Sequence, residues 1–170
     1  MASKPKQVAF LGLMLSIIMV LVIAERMLPP LPFLPPNFGI GLSNIIIMYL
    51  LFFFGIRKTL IMAVLKAMFN LMIRGPMSGI LSLTGGFFSV IVISLASRLM
   101  GGKVSYITLS VLGAVAHNAG QVIVASFLLQ SPLLLVYYSP FLFAVGLLAG
   151  FLTGISMNVL MPIFNRFYNS

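Results

Sequence analysis

Long apolar runs, interrupted by short clusters of proline, glycine and basic residues, set the pattern of this chain. After a basic start containing Lys4 and Lys6, apolar residues run from about 8 to 28. That run is too long for a signal-peptide core and lacks a small-residue cleavage site, so it predicts a first spanning helix. The stretch PPLPFLPPNFGIG follows over 29–41, and its five prolines forbid regular helix while its glycines permit tight turns. A structured loop is expected there. Further apolar runs predict helices at about 42–55, 59–74, 79–99 and 104–129, joined by GIRK, RGPMSG and MGGK. The last run, from 132 to 164, would be about 50 Å long if helical throughout, more than one crossing needs. Pro140 is expected to divide it into an outer segment and a helix over about 140–164.

Composition turns these runs into a membrane protein. Hydrophobic residues make up 61% of the 170 and charged residues only 6%, with mean hydropathy +1.21; a soluble domain carries about a quarter charged residues. At about 25 to 28 residues per helix and connection, the length allows six crossings. The expected fold is an all-α bundle of six transmembrane helices forming a single integral membrane domain over 1–170.

Charge then removes whole classes of function. Ten Lys and Arg stand against one acidic residue, Glu25, and the chain has no Asp and no Cys and a single His, His117. Paired-carboxylate hydrolysis, carboxylate-held Mg²⁺ or Ca²⁺, thiolate chemistry and Cys-ligated zinc cannot be built from such a set. No catalytic residues, metal site or cofactor are expected. The basic residues lie scattered between apolar runs and make no stripe for nucleic acid. They sort instead by side of the membrane. Lys4, Lys6, Arg57, Lys58, Arg98, Lys103 and Arg166 fall on one side, Arg26 and Arg74 on the other, and Lys66 lies within a helix. Seven against two places both termini in the cytoplasm of a multi-pass protein, expected in a bacterial cytoplasmic membrane. The loop over 29–41, RGPMSG and QSPLLLVYYSP then face outward.

Polar residues inside the spans are the candidate functional groups, because each costs several kcal/mol in lipid unless it faces the bundle interior or an aqueous cavity. Lys66, Asn70 and Arg74 are spaced by four and share one helix face. His117 and Gln121 share another, with Asn118 adjacent, and Asn44 opens the second helix. Glu25 and Arg26 fall near the outer end of the first helix. By helical rise these groups converge on one level under the outward loops. Cations with one offsetting carboxylate would favour an anion such as a phosphate, diphosphate or carboxylate, and the amides would orient it. The competing reading has Lys66 snorkelling, Arg26 and Arg74 at the interface, Glu25 paired with a nearby Arg, and His117 bonded to a neighbouring helix. Small residues form a second pattern: Gly12 and Ser16 in the first helix, and Gly146, Gly150 and Gly154 in the last, each allow close approach of another helix.

The succession PPNFGIGLSNI (35–45), FGIRKTL (54–60), LSLTGGFFS (81–89) and VLGAVAHNAGQ (111–121) resembles the Gx transporter family, often labelled heptaprenyl diphosphate synthase component I. That family is similar to the substrate-binding S components of energy-coupling factor transporters. The resemblance implies a six-helix protein that captures a vitamin-like or amphiphilic small molecule from outside. It also implies that the first outward loop gates the pocket, which brings in Pro35, Pro36 and Asn37 beside Glu25 and Arg26. Small residues of the first helix, here Ala9, Gly12 and Ser16, would dock on a transmembrane coupling subunit driven by two ATPases. The enzyme label meets a physical objection: a polyprenyl diphosphate synthase holds Mg²⁺ with aspartate-rich motifs, and this chain has no aspartate. It also has no GxxxxGK[ST] phosphate loop. A non-catalytic accessory role beside a polyprenyl synthase, in prenyl diphosphate or quinone biosynthesis, is the alternative.

Overall fold

The structure is a computed structural model and describes residues 4–27, 41–101 and 104–169. Among them are six helices and no strand: α1 (Lys4–Met27), α2 (Asn44–Phe54), α3 (Ile56–Arg74), α4 (Pro76–Leu99), α5 (Tyr106–Leu128) and α6 (Leu133–Asn169). Four of them, α1, α4, α5 and the stretch Val136–Ile163 of α6, are long and apolar enough to cross a membrane. The described residues are thus all-helical, with four helices whose length and composition are consistent with a multi-pass membrane protein. The expected loop over 29–41, with Pro35, Pro36 and Asn37, lies outside the described residues apart from Gly41.

The connections are tighter than the sequence suggested. GIRK and RGPMSG are not loops: α2 passes into α3 through Gly55 alone, and α3 into α4 through Gly75 alone. Both glycines hold a φ and ψ (77° and 175°, 89° and 174°) that is open to glycine and closed to side chains. Each also closes one helix and opens the next. Gly55 N–H donates to Leu51 O and Gly75 N–H to Leu71 O, while their carbonyls accept from Thr59 and Gly79. Pro76 sits in the first turn of α4, where its missing N–H costs nothing.

Two further expectations are corrected. Pro140 does not divide the last run, since α6 is unbroken over Leu133–Asn169 with Pro140 and Pro162 inside it. Each proline forfeits one backbone bond, whereas a break in an apolar setting would strand several donors and acceptors at once. The second helix is not a full span either. At 11 residues, α2 is about 16 Å long, and its residues 46–51 are all buried. It forms a short central strut touching α1, α3, α4 and α6.

Helix order alternates along the bundle. Lys58 Nζ donates to Gln7 Oε1 at 2.7 Å at the end where α1 starts, called proximal here. Arg26 Nη1 donates to Ile73 O at 2.9 Å at the opposite, distal end. α1 and α3 therefore run parallel. Glycine brings α6 against α5: a Cβ on Gly150 would stand 2.6 Å from Val111 Cα, and one on Gly154 would overlap Ile107 Cα. Backbones approach this closely where dispersion contacts, not water exclusion, hold helices together. The proximal half is sealed by Phe10, Tyr49, Phe53 and Phe54, whose neighbouring rings lie 5.2–6.4 Å apart. That leaves the distal half for polar groups.

Candidate functional site

The alternation of the helices carries five chain segments to one level of the distal half. Glu25 comes from the last turn of α1, Gly41 and Ser43 from the turn entering α2, and Lys66, Asn70 and Arg74 from α3. Ser78 and Ser82 come from α4, and His117 and Gln121 from α5. Together these ten residues line one chamber of about 20 Å³, room for about one water. Apart from Gly41 and the half-buried Arg74, every one of them is at least nine-tenths buried.

Part of the cluster is knit together. Glu25 Oε1 accepts from Ser43 N–H at 3.1 Å, which places the only carboxylate of the chain at the start of α2, where helix dipoles favour negative charge. Lys66 Nζ donates to Asn44 Oδ1 at 2.5 Å. Asn70 Nδ2 donates to Lys66 O at 3.2 Å and to Ser82 Oγ at 3.1 Å, tying α3 to α4. The His117 ring lies against Gly85 of α4, where a Cβ would stand 2.7–2.9 Å from three ring atoms. Glycine at position 85 therefore makes the space in which the imidazole sits.

Another part is left without partners. Ser43 Oγ, His117 Nδ1 and Gln121 Oε1 are buried and have no hydrogen-bond partner among the described residues. An orphaned buried polar group costs about 1–3 kcal/mol, and most such groups in folded proteins are paired. Polar residues serving only as interhelical glue would be bonded to one another. These three atoms belong to residues that line one chamber and leave hydrogen-bonding capacity unused there. Two cations, Lys66 and Arg74, meet one carboxylate there, an excess of one formal positive charge. The Glu25 carboxylate attracts the Lys66 ammonium and the Arg74 guanidinium repels it.

The residues singled out in the sequence divide accordingly. Lys66, Asn70, Arg74, His117, Gln121 and Glu25 meet in the chamber, and Asn44 borders it through Lys66. Asn118 does not: one residue of helical rotation turns it toward α6, where Nδ2 donates to Leu142 O at 2.7 Å. Arg26 is exposed and bonds the last turn of α3 instead of pairing with Glu25. Ala9, Gly12 and Ser16 lie exposed on one face of α1, and a Cβ on Gly12 would meet nothing within 4 Å. Sequence reasoning missed Ser43, Ser78 and Ser82, whereas Gly85, beside Gly86, is legible as a point of close approach in the fourth helix. The i, i+4 spacing of Ser78 and Ser82 at the start of α4 was the available signal, but a serine is cheap enough to bury that it draws no notice.

A larger cavity, about 250 Å³, lies between α5 and α6 and is lined by Asn118, Ala119, Val122, Ile123, Ser139, Leu142 and Phe143. It carries no charge, and the Asn118 amide is already engaged with α6. Size favours this groove, while the chemistry of the walls favours the chamber. Orientation-specific binding needs several polar groups at one place, which the chamber supplies and the groove does not.

Fold and site together define a helical membrane protein with a buried, net-cationic polar chamber in one half of its bundle. The profile of the family described as heptaprenyl diphosphate synthase component I matches residues 14–160. The chain belongs to that family, the Gx transporter-like family. No curated protein and no solved structure matches it.

Proposed function

We propose that the chain is the solute-binding membrane subunit of a small-molecule transporter, similar to the S components of energy-coupling factor transporters. In this reading it captures a vitamin-like, anionic or amphiphilic solute from outside the cell. All six helices form the membrane bundle, both termini are cytoplasmic and the distal half opens outward, in the cytoplasmic membrane of a bacterium. The observation that carries the reading is the convergence of Lys66, Asn70, Arg74, His117 and Gln121 on one chamber with three unpartnered polar atoms. Clustering of Lys4, Lys6, Arg57, Lys58 and Arg98 toward the proximal end supports the orientation. The exposed Ala9, Gly12 and Ser16 face supports docking of a transmembrane coupling subunit with two ATPases.

The chamber holds about one water as it stands, so solute entry requires a wall to move. Asn44 is the candidate, since its side chain is held at the chamber by the Lys66 bond, which an incoming anion would take over, while its backbone N–H stays bonded to Gly41 O.

The family description supports a second reading, a non-catalytic membrane partner of a polyprenyl diphosphate synthase. In either case the chain works without chemistry of its own, since it has no aspartate to hold the metal of a prenyl transfer. Native mass spectrometry of the detergent-extracted protein separates the two. A stoichiometric small solute, with ATPase subunits co-purifying, is the expected result. A bound prenyl diphosphate and a co-purifying soluble synthase would replace the first reading by the second.

A further inference from the structure

Charge discriminates between solutes more sharply than any other property of this chamber. Lys66 and Arg74 face the single carboxylate of Glu25, and that carboxylate is already engaged by Ser43 N–H. One positive charge is left over. Around it stand three side-chain atoms without a partner among the described residues, Ser43 Oγ, His117 Nδ1 and Gln121 Oε1. Ser43 and Gln121 can each present a donor to an oxyanion, the hydroxyl by rotating and the amide by turning about its last bond. A carboxylate would cancel the excess charge and use these donors. A diphosphate carries more than one negative charge and would leave part of it uncompensated among buried side chains, where unpaired charge is most costly.

A second observation concerns the rest of the solute. Asn44 also lines a separate cavity of about 20 Å³ deeper in the bundle, whose walls include Ile47, Met48, Leu51, Val90 and Ile93. The Asn44 side chain, held by Lys66 Nζ, stands between the polar chamber and this mainly apolar one. An anion that draws Lys66 away releases Asn44 and joins the two compartments.

We propose, resting on the solute-binding reading above, that the site takes a monoanionic amphiphile. A single carboxylate-sized head lies at Lys66 and Arg74, and an apolar body extends past Asn44. The test compares decanoate with geranyl diphosphate, two ten-carbon probes that differ in head charge, with acetate as the probe lacking an apolar body. Each is titrated against the purified full-length chain in detergent and followed by native mass spectrometry. Decanoate is expected to bind at least about tenfold more tightly than either of the others. Glu25→Gln keeps an acceptor for Ser43 N–H but adds one unit of positive charge, and should move the ratio about tenfold toward geranyl diphosphate. Geranyl diphosphate binding as well as decanoate, acetate matching decanoate, or an unchanged ratio in a folded E25Q protein would each overturn the proposal. If E25Q does not fold, the wild-type ratios decide alone. A retained natural solute with other than one negative charge would sink this inference and leave solute capture standing. No binding of any probe together with no retained compound would sink both.

Discussion

Gly85 and His117 provide the most local test of how the chamber is built. A Cβ at position 85 would stand 2.7, 2.8 and 2.9 Å from Cε1, Nδ1 and Nε2 of His117, whereas ordinary contact begins at 3.4 Å. In Gly85→Ala the imidazole must therefore retreat by about 0.6 Å, in a site buried on all sides, and such overpacking costs about 1–3 kcal/mol. Alanine in a helix interior returns about 1 kcal/mol relative to glycine. The net expectation is a loss of up to about 2 kcal/mol. Removing the ring first reverses the sign, so that in a His117→Ala background Gly85→Ala should stabilise by up to about 1 kcal/mol. Unfolding of the four proteins by sodium dodecyl sulfate in mixed micelles, followed by circular dichroism, gives the double-mutant cycle. A coupling energy of about 1–3 kcal/mol is expected. Coupling within about 0.5 kcal/mol of zero would refute the packing of the ring on Gly85.

Other outcomes follow from the same geometry. Lys66→Met keeps the bulk of an apolar wall but removes the cation, so retention of any anionic solute should fall at least about tenfold while the helical circular dichroism signal persists. Asn118→Ala breaks the bond to Leu142 O, which should cost about 0.6–1.7 kcal/mol in micelle unfolding and leave solute retention unchanged. Gly154→Ala places a methyl group against the Ile107 backbone and should cost about 1–3 kcal/mol, whereas Gly12→Ala meets open space and should be neutral or slightly stabilising. If α1 docks on a coupling subunit, the bulkier Gly12→Leu should abolish co-purification without altering unfolding.

Much of the bundle could be read from the apolar runs, because any backbone that crosses lipid must satisfy its own hydrogen bonds and helices do so within one run. The number of helices and their order follow from that constraint alone. Their junctions do not. Gly55 and Gly75 are visible as glycines, but whether one residue can reverse the chain depends on the packing of the two helices it joins. Pro140 misled for a related reason, since the penalty of proline is local and the penalty of breaking α6 depends on the apolar surroundings. The short α2 illustrates the same gap: its composition is that of a span, and only its neighbours reveal it as a buried strut.

The site was legible where burial is expensive. Lys66, Asn70 and Arg74 at intervals of four announced a shared face, and His117 with Gln121 announced another. Asn118 was grouped with them by adjacency in sequence, yet a helix turns about 100° per residue, enough to present it to α6. The serines stayed hidden because hydroxyls carry little cost, and their role comes from the larger groups they face; Gly85 is legible as a point of close approach, but not as the seat of the His117 ring.

Access to the chamber can be measured with a single thiol, because the chain has no native cysteine. Ser82→Cys puts one beside Asn70, at the wall of the chamber. A membrane-impermeant maleimide applied to the outside of intact cells should label position 82, and the solute retained by the wild-type protein should block that labelling. Labelling that occurs only from the cytoplasmic side, or that ignores a saturating concentration of the retained solute, would contradict an outward-facing binding chamber.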